Sequence, residues 1–187
     1  MGPVIHLIGL PTDQNSSFAR GAALAPPAIR AALWSDRGNL SAQSGLEIGT
    51  DVMLKDLGDL RLSDDDCAAD GALILRAVTE SVEADAFPLL LGGDHAVTYP
   101  ILDGPLYISV DLDGIDPSEA PGVAHPEPGG LTVREVLSII AKQRARIVGA
   151  DIVELNPARD VNDITAIVAA KLVREIAAQM HQNYDHI

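Results

Sequence analysis

The sequence predicts a three-layer α/β/α fold in which helices cover both faces of a parallel sheet. Short apolar runs alternate along the chain with amphipathic stretches, the pattern that strands and their crossover helices produce in such folds. Two long segments rich in glycine, proline, serine and aspartate, residues 11–27 and 113–130, directly follow apolar runs and are typical of functional loops. A chain of 187 residues suits one compact domain, so we expect a single domain over residues 1–187.

Each predicted element has a signal of its own. Apolar runs predict strands at residues 4–10, 53–57, 87–91, 106–112 and 147–155. Helical spacing of apolar residues predicts helices at residues 26–33, 64–84, 132–143 and 163–180. The last helix carries the clearest stripe, with apolar side chains at every fourth position: Ile164, Val168, Leu172, Ile176 and Met180. The connection at residues 92–105 is short for a parallel crossover, so its helix is expected to have barely two turns.

Two helix starts carry the spacing of a capping box. Ser63 stands three residues before Asp66, and Thr132 stands three residues before Glu135. In a capping box the first side chain accepts a hydrogen bond from a free helix N–H group, and the acidic side chain reaches back to the cap. The sequence therefore predicts that Ser63 and Thr132 cap the second and third helices.

The charge balance restricts the partners. There are 27 acidic residues against 13 lysines and arginines, a formal net charge of −14, which repels nucleic acid and anionic membranes and suits cationic ligands. No apolar run approaches the roughly 18 residues that a membrane span requires, and residues 1–10 show no secretory leader, so we expect a cytoplasmic protein. The single cysteine, Cys67, follows three aspartates that discourage a thiolate, so a structural role is expected.

The first candidate for chemistry is His95, in the segment Gly92–His95 at the end of a predicted strand. Ligands of open α/β sheets gather at the carboxyl ends of strands, where a histidine can bind a metal through a ring nitrogen and glycines let the backbone pass close by. The alternative makes Asp94 a helix cap and His95 a surface residue. Taken alone, the four residues favour neither interpretation.

Asp111 and Asp113 form the second candidate. Alternation along a strand places their side chains on one face, so that two carboxylates converge at the end of a buried strand. Desolvating an unpaired carboxylate costs several kcal/mol, which makes a hard divalent metal the natural partner. The alternative is a set of turn-forming acids, and Asp116 before Pro117 is expected to be such a turn residue.

Glu154 is the third candidate, near the carboxyl end of the strand at residues 147–155. A carboxylate there can anchor a cation or hold a catalytic proton. On its own, an acid that merely ends a strand would be the preferred interpretation.

Together these motifs make the chain resemble the arginase and agmatinase family of manganese-dependent ureohydrolases. The most specific part is residues 110–131, with Asp-Leu-Asp-Gly-Ile-Asp-Pro, Ala-Pro-Gly-Val and Glu-Pro-Gly-Gly-Leu in that order. The resemblance implies that two manganese ions activate a hydroxide, which attacks the guanidinium carbon of a small substrate and releases urea. It further implies that His95 binds one ion, Asp111 bridges both and Asp113 completes the second, while Glu154 pairs with the guanidinium group. It assigns no role to His125 and leaves arginine, agmatine, guanidinobutyrate and formiminoglutamate open.

One departure from the family limits what the resemblance implies. The family's Asp-Ala-His-x-Asp motif, which supplies three further ligands, is absent, and its place falls at an apparent internal deletion near residues 104–105. The family's eight-stranded sheet runs 2-1-3-8-7-4-5-6, so loss of strands 4, 5 and 6 predicts the order 2-1-3-8-7. Three ligands cannot saturate two ions, which opens the alternative of a noncatalytic homologue. A flavodoxin-like ligand module ranks last, because no glycine-rich phosphate loop follows the first strand.

The same deletion leaves the strand at residues 106–112 on an open edge. An apolar strand edge tends to pair with another strand, so we expect another subunit or further chain to cover it, and hence a homo-oligomer.

Overall fold

A computed structural model describes residues 2–16, 18–36, 38–63, 66–101 and 106–184. Five parallel strands form one sheet: β1 Val4–Gly9, β2 Leu54–Asp59, β3 Ala86–Leu91, β4 Leu106–Asp111 and β5 Ile147–Val153. Four α-helices accompany them: α1 Ala25–Leu33, α2 Cys67–Glu83, α3 Val133–Ala141 and α4 Ile164–Gln182. The strand order is β2-β1-β3-β5-β4, which in the family's numbering is the predicted 2-1-3-8-7. The α/β fold class predicted from the sequence is confirmed.

Helices lie on both faces of the sheet, as a three-layer fold requires. On one face α1, α3 and α4 cover the larger cluster of buried side chains, and on the other α2 and a 3-10 helix at His95–Ile101 cover a smaller one. Strand alternation separates the clusters, because Leu89 and Leu91 belong to the larger and Leu90 to the smaller. A strand buried on both faces reads as a continuous apolar run, which explains why β3 was predictable from sequence.

The stripe on α4 packs as predicted over most of its length. Leu172, Ile176 and Met180 are fully buried and Val168 is partly buried against the same core, while Ile164 at the first turn is 40% exposed. Among the helices of the described residues, none combines the length and apolarity needed to cross a membrane.

The two predicted caps have different outcomes. Thr132 forms the capping box, since its Oγ1 accepts from Glu135 N at 3.2 Å and Glu135 Oε2 accepts from Thr132 N at 2.8 Å. The prediction for Ser63 is wrong, because α2 begins at Cys67 and Asp66 is its cap. Asp66 Oδ1 accepts from Ala69 N at 3.0 Å and from Ala68 N at 3.1 Å, while Ser63 Oγ accepts from Asp66 N at 3.3 Å.

The crossover from β3 to β4 contains the 3-10 helix His95–Ile101, whose seven residues make about two turns, as expected. The expected junction at residues 102–105 lies outside the described residues, as do residues 64 and 65 at the predicted start of the second helix.

Candidate functional site

The candidate site lies where β1, β3, β4 and β5 end, and backbone hydrogen bonds join the loops that follow β1, β3 and β5. Gly92 N donates to Ile152 O at 2.7 Å, Glu154 N donates to Gly93 O at 3.0 Å, and Asp94 N donates to Thr12 O at 3.1 Å. A Cβ atom on Gly93 would lie 1.9 Å from Thr12 O, so only glycine fits this crossing. The glycines of this segment therefore fix the position of the residues that follow them.

His95 is held at both ring nitrogens. Its Nδ1 lies 3.0 Å from Asp111 Oδ2, and its Nε2 lies 3.1 Å from Ser109 Oγ. The side chain is 47% exposed, so the ring is accessible from solvent. Asp94, by contrast, is buried and structural: its carboxylate accepts from Ala96 N at 3.0 Å and from Asn15 N at 2.7 Å. The structural interpretation of this segment thus applies to Asp94, whereas His95 stays a candidate metal ligand.

The turn after β4, and not strand alternation, positions Asp113. Asp111 is the last residue of β4 and caps a 3-10 turn at Leu112–Gly114 by accepting from Asp113 N at 2.9 Å. Asp113 lies within that turn, and its Oδ2 is 3.2 Å from His125 Nδ1. The alternation argument was therefore wrong for Asp113, because the strand ends before it. Burial raises the pKa of Asp113, and the neighbouring Asp111 raises it further, against hydrogen bonds from His125 that lower it.

Glu154 occupies an uncommon backbone conformation. Its φ is 68°, in the left-handed region that larger residues seldom adopt, and it follows β5 directly. Its Oε1 accepts from His95 N at 2.7 Å. Burial raises the pKa of Glu154, and the nearby carboxylates Asp111, Asp113 and Asp94 add to the rise. Strain of this kind is frequent at functional sites, which makes Glu154 a candidate on structural grounds as well.

Asp151 belongs to the same region and was missed by sequence reasoning. It is fully buried, and three hydroxyl groups donate to it: Ser109 Oγ at 2.6 Å, Thr98 Oγ1 at 2.7 Å and Tyr107 OH at 3.1 Å. Burial raises the pKa of Asp151, although these hydrogen bonds oppose the rise, and burial beside Asp151 raises the pKa of Tyr107. An aspartate inside an otherwise apolar strand was the available signal.

The loop that follows β1 forms one rim of the site. Asp13 anchors it by accepting from Gly21 N at 2.6 Å and from Arg20 Nη1 at 3.2 Å. Phe18 is 71% exposed, and its ring lies 5.9 Å from that of His125, the residue to which the sequence assigned no role. His125 thus connects this rim to Asp113.

The donors suit a divalent cation in kind but not in number. Imidazole and carboxylate ligands fit manganese, and the two donor atoms of His95 and Asp111 approach to 3.0 Å. Among the residues that the structure describes, however, no group of three or more histidine, cysteine, aspartate or glutamate side chains is arranged to hold a metal ion. The described side chains thus fit part of a metal coordination sphere.

Comparison with known proteins decides the family. A sequence profile of the arginase family matches residues 4–105 and 102–178. The chain belongs to the arginase family. "Arginase 1, mitochondrial" from Arabidopsis thaliana is 32% identical over 274 aligned positions, covering 93% of this chain and 80% of the relative. Agmatinase from Bacillus anthracis is 43% identical over 81 positions, covering 41% of this chain and 28% of that protein.

Solved structures agree with the arginase fold. Arginase from Medicago truncatula superposes with a TM-score of 0.89 at 28% identity, covering 96% of this chain and 88% of that chain. A hypothetical agmatinase from Burkholderia thailandensis gives the same TM-score at 22% identity, covering all of this chain and 88% of that one, which supports the fold alone.

The alignment itself has an internal gap. Its 274 positions exceed the 187 residues of this chain, so the Arabidopsis arginase carries residues that have no counterpart here. The two segments matched by the family profile meet at residues 102–105, between β3 and β4.

Proposed function

We propose that this arginase-family chain is a manganese-dependent hydrolase that releases urea from the guanidino group of a small substrate, arginine or agmatine. The observation that carries the proposal is the convergence of three predicted residues from three separate segments. His95 Nδ1 lies 3.0 Å from Asp111 Oδ2, and the His95 backbone donates to Glu154 at 2.7 Å. A net charge of −14 suits a cationic substrate and a metal.

Each residue has a distinct task in this proposal. His95, Asp111 and Asp113 would hold the manganese. Bound manganese supplies water activated for attack on the guanidinium carbon. Glu154 would pair with the guanidinium group and orient its central carbon toward the metal side. Its buried position strengthens such a pair, because a charge is screened less there than in open water.

A second candidate function is that of a noncatalytic homologue that keeps the fold and at most one weakly bound metal. Two observations favour it: the described residues contain no three-ligand group, and the Arabidopsis alignment leaves an internal gap in this chain. Manganese prefers about six oxygen or nitrogen donors, so three protein ligands leave most positions to water. The hydrolase and the noncatalytic homologue would involve the same residues, so a measurement of catalytic turnover is needed to distinguish them.

The test measures urea released from arginine and from agmatine by a chain whose mass is verified, with and without added manganese. Manganese-dependent urea would support the hydrolase and exclude the noncatalytic alternative. No urea above the buffer background, in the presence of manganese, would refute the hydrolase for this chain.

If urea is released, Glu154→Gln tests the pairing role. Removing one partner of a buried charge pair costs about 3 kcal/mol, so kcat/KM should fall about 100-fold. Glu127→Gln is the matched control, because Glu127 is exposed in a neighbouring loop and the same change should leave kcat/KM unaltered. Equal effects of the two variants would contradict the role given to Glu154.

Assembly and location remain proposals. We propose a homo-oligomer that covers the open edge of β4, and a cytoplasmic site of action without nucleic acid or membrane as partner. The Arabidopsis relative is, by its name, a mitochondrial protein.

A further inference from the structure

A cavity between α1 and α4 lies outside the candidate site described above. Its volume is about 240 Å³. Small side chains of α1 form one wall, and Ile167 and Arg174 of α4 form the other. Ser35 and Asp163 also line the cavity. None of these residues belongs to the candidate site, so the cavity has a chemistry of its own.

The guanidinium group of Arg174 has no hydrogen-bond partner among the residues that the structure describes. The residue is partly buried, and its Nε is shielded from solvent without an acceptor. Burial lowers the pKa of Arg174, and the charge of Glu175 opposes this effect. The Glu175 carboxylate is bound elsewhere, since its Oε1 accepts from Lys171 Nζ and from Gln43 N. Because arginine keeps its charge in proteins, Arg174 is partly desolvated without a hydrogen bond in return.

Two other arginines show how this fold compensates a guanidinium group of the same kind. Arg30 and Arg146 each have one buried nitrogen without a partner as well. Arg30, however, donates to two aspartates, and the guanidinium of Arg146 lies over two aromatic rings, 5.2 Å from each centroid. Neither kind of compensation is found for Arg174 among the described residues. An anion in the adjoining cavity would supply it.

The charge and the size of the cavity define the class of that anion. A guanidinium group pairs best with two coplanar oxygens, which a carboxylate presents. The alanine and isoleucine side chains in the walls favour an apolar body behind the carboxylate. At about 30 Å³ for each water-sized atom, the cavity holds roughly eight non-hydrogen atoms. Asp163 disfavours a second negative charge on the ligand.

We propose that the cavity between α1 and α4 is a binding site for a small monocarboxylate with an apolar body. The carboxylate pairs with Arg174, and the body packs against Ala28, Ala32 and Ile167. Because the ligand contacts both helices, its binding stabilises the contact between α1 and α4. The site involves neither manganese nor the guanidino substrate, so it is independent of the proposed hydrolase.

Three ligands test the proposal on the unmodified chain. 3-Methylbutanoate should shift the ¹⁵N–¹H signal of Arg174 Nε in a saturable way, with a Kd on the order of 1 mM because so small a ligand makes few contacts. 3-Methylbutylammonium has the same apolar body and the opposite charge, and should give no saturable shift. Inorganic phosphate has the negative charge without the body, and its Kd should be about tenfold higher or more. The Arg174 signal is assigned by its loss in Arg174→Met.

Two variants separate the charge from the space. Arg174→Met keeps most of the apolar stem and removes the guanidinium, so the Kd for 3-methylbutanoate, followed on the amide signals of α1 and α4, should rise about tenfold or more. Ala31→Leu keeps the charge and fills part of the cavity, so it should weaken binding as well. Arg146→Met is the matched control, because it removes another partly buried arginine with an unpaired Nε that lies outside this cavity. It should leave the Kd unaltered.

Several results would contradict the proposal. Equal affinity for 3-methylbutanoate and 3-methylbutylammonium would remove the role of charge, and equal affinity for phosphate would remove the role of the apolar body. An unchanged Kd in Arg174→Met would overturn the site itself. If 3-methylbutanoate does not bind and Arg174→Met lowers the sedimentation coefficient, an acidic side chain of another copy of the chain is the partner and the small-ligand proposal is wrong. The comparison of ligands needs no variant beyond the assignment, so Ala31→Leu completes the test if Arg174→Met fails to fold.

Discussion

The two edge strands of the sheet solve the problem of an open edge in opposite ways. β2 carries charge and irregularity: it reads Leu-Lys-Asp-Leu-Gly-Asp, its Gly58 has a φ of 80°, and its register against β1 shifts between Leu7 and Gly9. β4 reads Leu-Tyr-Ile-Ser-Val-Asp and has no charge before its last residue. Charges and bulges discourage edge-to-edge pairing, so β2 has the features typical of a protected edge strand. β4 has the sequence of an inner strand.

The acid that ends each edge strand also has a different role. Asp59 at the end of β2 is bound by Arg30, which also donates from Nε to Asp56 at 2.8 Å. Asp111 at the end of β4 faces His95. The acid at the end of the strand thus forms a structural ion pair in β2 and supplies a candidate metal ligand in β4.

The largest expected difference between the edges concerns metal binding. Asp111→Ala should abolish manganese binding, because it removes one of the proposed metal ligands. Asp59→Ala is the matched control: four strand spacings of about 4.8 Å separate the edges, so its carboxylate lies roughly 19 Å away. Titration followed by electron paramagnetic resonance of free manganese measures both. Equal manganese affinities in the two variants would contradict the role of Asp111 as a metal ligand.

The next largest effect concerns association. The unmodified chain should sediment as an oligomer, and Ile108→Lys, which puts a charge in the middle of β4, should shift it toward monomer. Leu57→Lys makes the same kind of change on β2, where Leu57 is already exposed, and should leave the sedimentation coefficient unaltered. A stable monomer of the unmodified chain in analytical ultracentrifugation would show that the β4 edge needs no partner.

The sheet was predictable because its signals are local. An apolar run such as Ala86–Leu91 identifies a buried strand by itself, and helical spacing in Ile164–Gln182 identifies a helix. The strand order followed from the family resemblance, which named the strands that this chain lacks. The same resemblance directed attention to His95 and Asp111, whose facing atoms the structure places 3.0 Å apart.

The turns were not predictable, since side-chain caps within the turn and contacts distant in sequence decide them together. Asp113 was assigned to a strand face but lies in a 3-10 turn that Asp111 caps. Glu154, with its left-handed backbone, donates a hydrogen bond to Gly93, far away in the chain. Asp151 carried a signal as an acid in an apolar strand, but its partners come from other segments, and no spacing rule connects them.

The smallest expected effect tests how the β2 edge is held. Arg30 is only 16% exposed, and it donates to Asp56 and Asp59, whose side chains are 30% and 38% exposed. Arg30→Met keeps most of the apolar stem and removes the charge. Because solvent screens the two partners, the free energy of unfolding should fall by about 1–2 kcal/mol, more than for a surface pair but less than for a buried one.

Urea denaturation measures this change, and Arg76→Met is its control. Arg76 pairs with Glu80 on α2, where the two side chains are 76% and 58% exposed, so its loss should leave the denaturation midpoint unaltered. If Arg30→Met also leaves the midpoint unaltered, the ion pairs do not hold β2, and its charges serve only to prevent pairing with other strands. The two edge strands would then differ in whether their sequences discourage pairing with another strand, and no longer in how each strand is held in the sheet.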